Sequence, residues 1–233
     1  QIDLGYIINM IPTLGDVSFG GEATGEAHLY SVLNQPIFEA NVFLKDGNIN
    51  QAPVGDVYAN AVWDKDNQEI DLTGIAVEGK DTIALVDGYI APLRDSIELF
   101  YNAQGLSLGF ITRYMSEFAD HVSGKGYGKV RMYGTLKTPN DVHFEGSALV
   151  KDGNMRVAML GTHFTFSASI YLTEKVIKLP QIPVNDAEGN RALLDGEVTH
   201  DGTFQDLHYR ILITCEDLLA MNTLISDNDF FFG

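Results

Sequence analysis

The chain has 233 residues and is poor in cysteine and in basic side chains. Cys215 is the single cysteine, which excludes an internal disulfide and a cysteine-based metal cluster. Lys and Arg number 15 against 32 Asp and Glu, and the resulting net charge of −17 argues against nucleic acid or an anionic membrane surface as a partner. No run approaches the ~18 apolar residues of a membrane helix. The hydrophobic fraction of 45% is that of a folded globular chain.

The two ends of the sequence are unlike those of a complete protein. Gln1 stands where a start would be, with no signal peptide after it, and the apolar residues 230–232 lie almost at the last position. These features predict an internal segment of a longer protein, with any targeting signal outside this sequence.

An internal repeat organises the chain. The segments GEAHLY (25–30), KDGN (45–48) and LVDG (85–88) recur as GKVRMY (128–133), KDGN (151–154) and LLDG (193–196), 103 to 108 residues later. LGYI at 4–7 recurs as LGFI at 108–111. We therefore predict the tail and helical connector of a preceding unit over 1–20, one β unit with its connector over 21–121, a second over 122–222 and the start of a further unit over 223–233.

Each unit has the pattern of five or six β-strands. Apolar and other residues alternate over 38–44, 129–132 and 164–170, as in strands with one apolar and one wet face. Turn-forming Asp-Gly and Asn-rich segments separate these runs. Apolar residues spaced by three and four over 106–118 predict a short amphipathic helix that crosses one edge or end of the sheet. The expected fold is all-β: a curved, elongated, mostly antiparallel sheet of tandem units with short helical connectors.

Residues for catalysis or metal binding do not form a recognisable pattern. The six histidines include no HExxH or HxH pair, and no nucleophile elbow is present. The glycine-rich segment 124–128 resembles a phosphate-binding loop, but a strand pattern follows it where such a loop requires a helix. We expect no enzyme activity, no cofactor and no metal site.

The apolar face of the strands is the candidate functional surface. Strands stacked along one axis give a continuous apolar stripe, which either closes into an ordinary core or stays partly open as a groove for acyl chains. The predicted groove-lining residues share strand parity within each segment: Leu29, Phe38, Val42, Leu44, Val130, Met132, Phe144, Ala148, Val150, Phe164, Phe166 and Ile170.

Several segments together resemble a known family. These are LSLGFI (106–111), the glycine-rich strand with its Gly-Thr-Leu end (123–136), ALVKDG (148–153) and LDGEVTH (194–200). They are similar to TamB-like translocation and assembly module proteins of the AsmA-like clan, Bacteroidetes-type. The first unit departs from the pattern, with Ser-Val-Leu at 31–33 in place of Gly-Thr-Leu.

The resemblance implies a taco-like β-groove in the periplasm of a Gram-negative bacterium. The full protein would be tethered to the inner membrane by a segment outside this sequence. It would move phospholipid between the inner and outer membranes, or assist a BamA-like outer-membrane barrel protein in assembly. No active site is implied.

A tandem β-sandwich module for adhesion or glycan binding is the alternative, since units of about 100 residues suit it as well. Trp63, the single Trp, has no flanking cysteines of the immunoglobulin kind, and the connector is apolar where such modules usually have polar linkers.

Overall fold

The computed structural model describes residues 18–30, 37–116, 119–138, 141–200 and 206–223. They form one antiparallel sheet of twelve strands, in which each strand pairs with its neighbours in sequence. The strands are β1 (Phe19–Tyr30), β2 (Ile37–Ile49), β3 (Ala52–Asp64), β4 (Glu69–Glu78), β5 (Asp81–Ala91), β6 (Ser96–Ser107), β7 (Ala119–Gly134), β8 (Val142–Val157), β9 (Thr162–Thr173), β10 (Val176–Asn185), β11 (Arg191–His200) and β12 (Leu207–Cys215). The sheet is open and curved, so the expected all-β fold is confirmed.

Short polar turns join most of the strands, as the Asp- and Asn-rich segments predict. Between β3 and β4, the carboxylate of Asp64 accepts hydrogen bonds from the backbone N–H groups of Asp66 and Asn67, at 2.7 and 3.2 Å. A side chain that satisfies the backbone in this way stabilises a tight turn. These two bonds also lower the pKa of Asp64.

The two KDGN segments have the same local geometry. Each lies opposite a glycine bulge, because the register shifts between Gly20 and Glu22 in β1 and between Ser123 and Lys125 in β7. Asp46 and Asp152, the equivalent residues of the two segments, have φ values of 50° and 51°. Paired bulges of this kind bend both strands at one level, and their recurrence supports the repeat proposed from the sequence.

The predicted connector is a 3₁₀ helix over Leu108–Met115, which we call the connector helix. It runs from the end of β6 back to the turn between β2 and β3. There, Arg113 Nη1 donates a hydrogen bond to Asn50 Oδ1 at 3.2 Å. Leu108 Cδ2 lies 2.9 Å from the position that a Cβ on Gly126 would occupy. The connector helix therefore packs on β7 at one end of the sheet, as expected.

A second segment, residues 216–223, follows β12 in the same way. The backbone N–H of Leu219 donates to Asp186 Oδ2 at 2.6 Å, and that of Asn222 donates to the carbonyl of Leu160 at 2.9 Å. The chain thus passes from β12 across the turn between β10 and β11 to the end of β8. We call residues 216–223 the second connector.

The proposed unit boundaries can be placed on this sheet. The boundary at 121/122 lies inside β7, which begins at Ala119. Along the sequence, β1–β6 precede the connector helix and β7–β12 precede the second connector, so each proposed unit corresponds to six strands. Residues 1–17 and 224–233, which hold the predicted preceding connector and most of the predicted further unit, lie outside the described residues.

Candidate functional site

One face of the sheet is apolar across all twelve strands. Residues directly opposite each other in an antiparallel pair project to the same side, so the pairing can be followed from strand to strand. One paired series, the central row, consists of Gly25, Val42, Ala59, Gly74, Val86, Tyr101, Val130, Gly146, Leu172, Ile177, Val198 and Tyr209.

We define the apolar face as the side to which the central row projects. The strand residues two positions before and after each member of this row project to the same side. None of those described is Asp, Glu, Lys or Arg. The opposite side, the polar face, holds the residues between them, among them Glu26, Asn41, Glu98, Arg131 and Glu145.

All twelve predicted groove residues project to the apolar face. The pairs Leu29–Phe38, Met132–Phe144 and Val150–Ala168 link them to the rows beside the central one. The face is partly closed: Leu44, Met132, Val150 and Phe164 are buried. Phe38, Val42, Val130, Phe144, Ala148, Phe166 and Ile170 are half-buried. Leu29, on the edge strand β1, is 58% exposed.

Two apolar clusters on this face bring loop and connector residues into contact with the sheet. One contains Ile97, Leu99, Met132 and Val142, with Leu136 of the β7–β8 loop packed against it. The other contains Ala168, Ile182, Val184 and Ala192, with Leu218 of the second connector packed against it. Loop and connector residues thus cover the face near the strand ends.

A cavity of about 690 Å³ lies over the middle of β1–β4. Four of its lining residues, Gly25, Val42, Ala59 and Gly74, belong to the central row, and the other eight are their chain neighbours, which project to the polar face: Thr24, Glu26, Asn41, Phe43, Tyr58, Asn60, Thr73 and Ile75. The side chains that border this cavity are therefore mainly those of the polar face. A second, smaller cavity of about 320 Å³ is lined by the paired residues Gly196 and Ile211 and by their polar-face neighbours Asp195, Glu197, Arg210 and Leu212.

Several glycines on the apolar face cannot be replaced without moving the backbone. A Cβ on Gly128 or Gly146 would lie 2.2 and 2.1 Å from a carbonyl oxygen of the neighbouring strand. Their φ values of 144° and 147° are also unfavourable for other residues. Close approach of this kind is typical of strands that are sharply bent, so these glycines permit the curvature of the sheet.

From β1 to β11, the central row contains one residue with a polar side chain, which is Tyr101 in β6. Of its surface, 38% is exposed. Nevertheless, burial of the hydroxyl among surrounding protein atoms raises the pKa of Tyr101 to about 12.

The polar face is held by ion pairs between neighbouring strands. Arg131 Nε donates to Glu98 at 2.6 Å and Arg131 Nη1 donates to Glu145 at 3.3 Å. Glu145 also accepts a hydrogen bond from the Tyr133 hydroxyl at 2.9 Å. The bond to Glu98 raises the pKa of Arg131, and the bond to Glu145 raises that of Tyr133. The charged groups of this network thus lie on the polar face.

Among the described residues, no group of three or more His, Cys, Asp and Glu side chains is arranged to hold a metal ion. No helix in the described part of the chain is long and apolar enough to cross a membrane. In comparisons with known proteins, no protein-family model, no curated protein and no solved structure matches this chain.

Sequence reasoning missed two features of this face. It placed no groove residue in β3–β6 or β10–β12, where glycines such as Gly74, Gly88 and Gly196 interrupt the apolar alternation. It also left out Tyr101, whose aromatic ring suits either face of a strand. Tyr101 is assigned to the apolar face by its pairing with Val86 and with Val130.

Proposed function

We propose that this chain carries acyl chains of phospholipid in the groove formed by its apolar face. The observation that supports the proposal is the central row, which runs uncharged through every described strand. Twelve strands spaced by about 4.8 Å make this row roughly 50 Å long. A curved surface of this length with no charged group suits an extended hydrocarbon chain.

The energy available is sufficient for lipid capture. Each CH₂ group that leaves water for an apolar surface contributes about 0.8 kcal/mol, so an acyl chain of ~16 carbons gains on the order of 10 kcal/mol. The half-buried state of Val42, Val130 and Ala148 means that part of the face remains available for such contact.

The resemblance of the sequence to TamB-like proteins leads us to propose that this activity lies between two membranes. On that basis we propose a periplasmic segment of an envelope-spanning protein, which transports phospholipid or helps a BamA-like outer-membrane protein in assembly. The continuous single sheet supports this proposal over tandem β-sandwich modules, because a sandwich would divide the strands into two facing sheets.

Charged substitutions on the two faces test the proposal. Val42→Asp and Ala148→Asp place a carboxylate on the apolar face, whereas Asn41→Asp and Ser147→Asp place one on the adjacent residue of the polar face. We expect the first pair to abolish lipid binding with a small loss of thermal stability, because a groove wall still contacts solvent. The control pair should bind lipid as the parent does.

The measurements are mass spectrometry of co-purified lipid, binding of a fluorescent fatty acid and thermal unfolding. If the parent binds no lipid and both apolar-face variants unfold, the face is an ordinary core. A buried unpaired charge costs several kcal/mol, so unfolding would be the expected result in that case.

A further inference from the structure

Tyr101 stands at the middle of the apolar face, in the sixth of the twelve strands. Its direct partners in the central row are Val86 and Val130. The next members of the row are Gly74 on one side and Gly146 on the other. The phenol ring is therefore the largest side chain in a stretch of five strands along this row.

The nearest strand neighbours of Tyr101 on this face are all apolar. Leu99 and Ala103 flank it in β6. Opposite those two residues lie Gly88 and Ala84 in β5, and Met132 and Gly128 in β7. None of these side chains offers an oxygen or nitrogen atom. A hydroxyl desolvated in this way gains from any hydrogen-bond acceptor that a ligand brings to it.

The protonation state of Tyr101 fixes which role the hydroxyl takes. Because burial raises its pKa to about 12, the phenol remains neutral across the physiological pH range and keeps its O–H donor. The ligand group that it meets must then supply an acceptor. The acceptor must also tolerate an apolar site, which a charged phosphate does not.

We propose that the Tyr101 hydroxyl donates a hydrogen bond to the ester carbonyl oxygen of an acyl chain in the groove, and so sets where the ester lies along the central row. An ester carbonyl is an uncharged acceptor at the end of a hydrocarbon chain, so it can occupy this site while the chain extends over the neighbouring strands. This inference rests on the proposed function.

The experiment compares two phosphatidylcholines with identical headgroups and hydrocarbon chains, one ester-linked and one ether-linked. The ether lipid lacks the carbonyl oxygens and is otherwise matched. For the parent chain we expect about fivefold tighter binding of the ester lipid, the ratio that one hydrogen bond of ordinary net strength gives. Tyr101→Phe should bring this ratio to about one and leave ether-lipid binding unchanged.

Tyr171→Phe is the matched control. Tyr171 is paired with Ser147 on the polar face and is 46% exposed, so its hydroxyl lies away from the groove. Its variant should retain the parent's ester-to-ether ratio. Thermal unfolding of all three proteins shows whether they are equally folded, and a ratio measured within one protein does not depend on its stability.

The outcomes separate the two proposals. Binding of neither lipid by the parent would overturn the proposed function, and this inference with it. Equal binding of both lipids by the parent, or the same ratio in Tyr101→Phe as in the parent, would overturn the role of Tyr101 and leave the groove intact.

Discussion

Gly88 and Glu98 lie on adjacent strands so close that a Cβ on Gly88 would be 2.1 Å from the carbonyl oxygen of Glu98. Gly88 also has a φ of 145°. Both facts follow from the curvature of the sheet, since glycine is the residue that allows one backbone to approach another at a bend.

We expect Gly88→Ala to destabilise the chain by about 2–4 kcal/mol, because it adds steric overlap to an unfavourable backbone conformation. Gly79→Ala is the control: Gly79 has a φ of 66°, but no atom lies within 4 Å of its Cβ position. Urea unfolding of both variants measures the difference. Equal destabilisation would mean that backbone conformation alone matters and that the close approach does not.

Asp186 makes the end of the second unit sensitive to acid. Burial alone would raise its pKa, but hydrogen bonds from Leu219, Asn190 and Glu188 outweigh that effect and lower the pKa to about 2. The folded state thus favours the carboxylate. The stabilisation is fully present above the ordinary carboxyl pKa near 4 and is lost as the pH falls toward 2.

The measurement that checks this is the urea concentration at the midpoint of unfolding, determined at a series of pH values from 5 to 2. The parent should lose stability over this range, and Asp186→Ala should be less stable at pH 5 with a smaller further loss on acidification. Asp217→Asn, at an exposed position of the second connector, is the control and should follow the parent. A parent-like acid profile in Asp186→Ala would contradict the prediction.

Leu218 holds the second connector on the apolar face. It packs against the cluster of Ala168, Ile182, Val184 and Ala192 and is half-buried. Leu218→Ala should therefore cost about 1–2 kcal/mol, less than a fully buried leucine does. Leu93→Ala, at a turn position that is 72% exposed, should change the free energy of unfolding by less than about 0.5 kcal/mol. Chemical denaturation of Leu218→Ala and Leu93→Ala shows whether the second connector contributes to the free energy of unfolding.

The net charge of −17 gives the proposed groove a preference among lipids. At low ionic strength, we expect the chain to extract lipid faster from zwitterionic phosphatidylcholine vesicles than from vesicles containing phosphatidylglycerol. The difference should shrink as salt is raised, because exposed charges are screened over about 8 Å at physiological ionic strength. A fluorescent-lipid transfer assay over a salt series measures both rates. A preference that does not respond to salt would have a cause other than charge.

The strands could be predicted because the alternation over 38–44 and 164–170 leaves one face apolar. The side to which Phe38, Val42 and Phe164 project followed from the same alternation. The exposure of Leu29 could not be predicted in this way, because the alternation within a strand does not show that β1 lies at the edge of the described sheet. The sequence also could not predict the helix type of the connector, since apolar residues spaced by three and four suit both a 3₁₀ helix and an α-helix over eight residues.

The sequential strand order has a consequence for how the molecule folds. Every described strand pairs only with those next to it in the chain, so each pairing closes a loop no longer than two neighbouring strands and their connection, and loop closure costs little entropy at each step. A hairpin such as β1–β2 can form before β12 has been synthesised. The sheet can therefore grow one strand at a time in the order of synthesis, and each new edge is covered by the next strand to emerge.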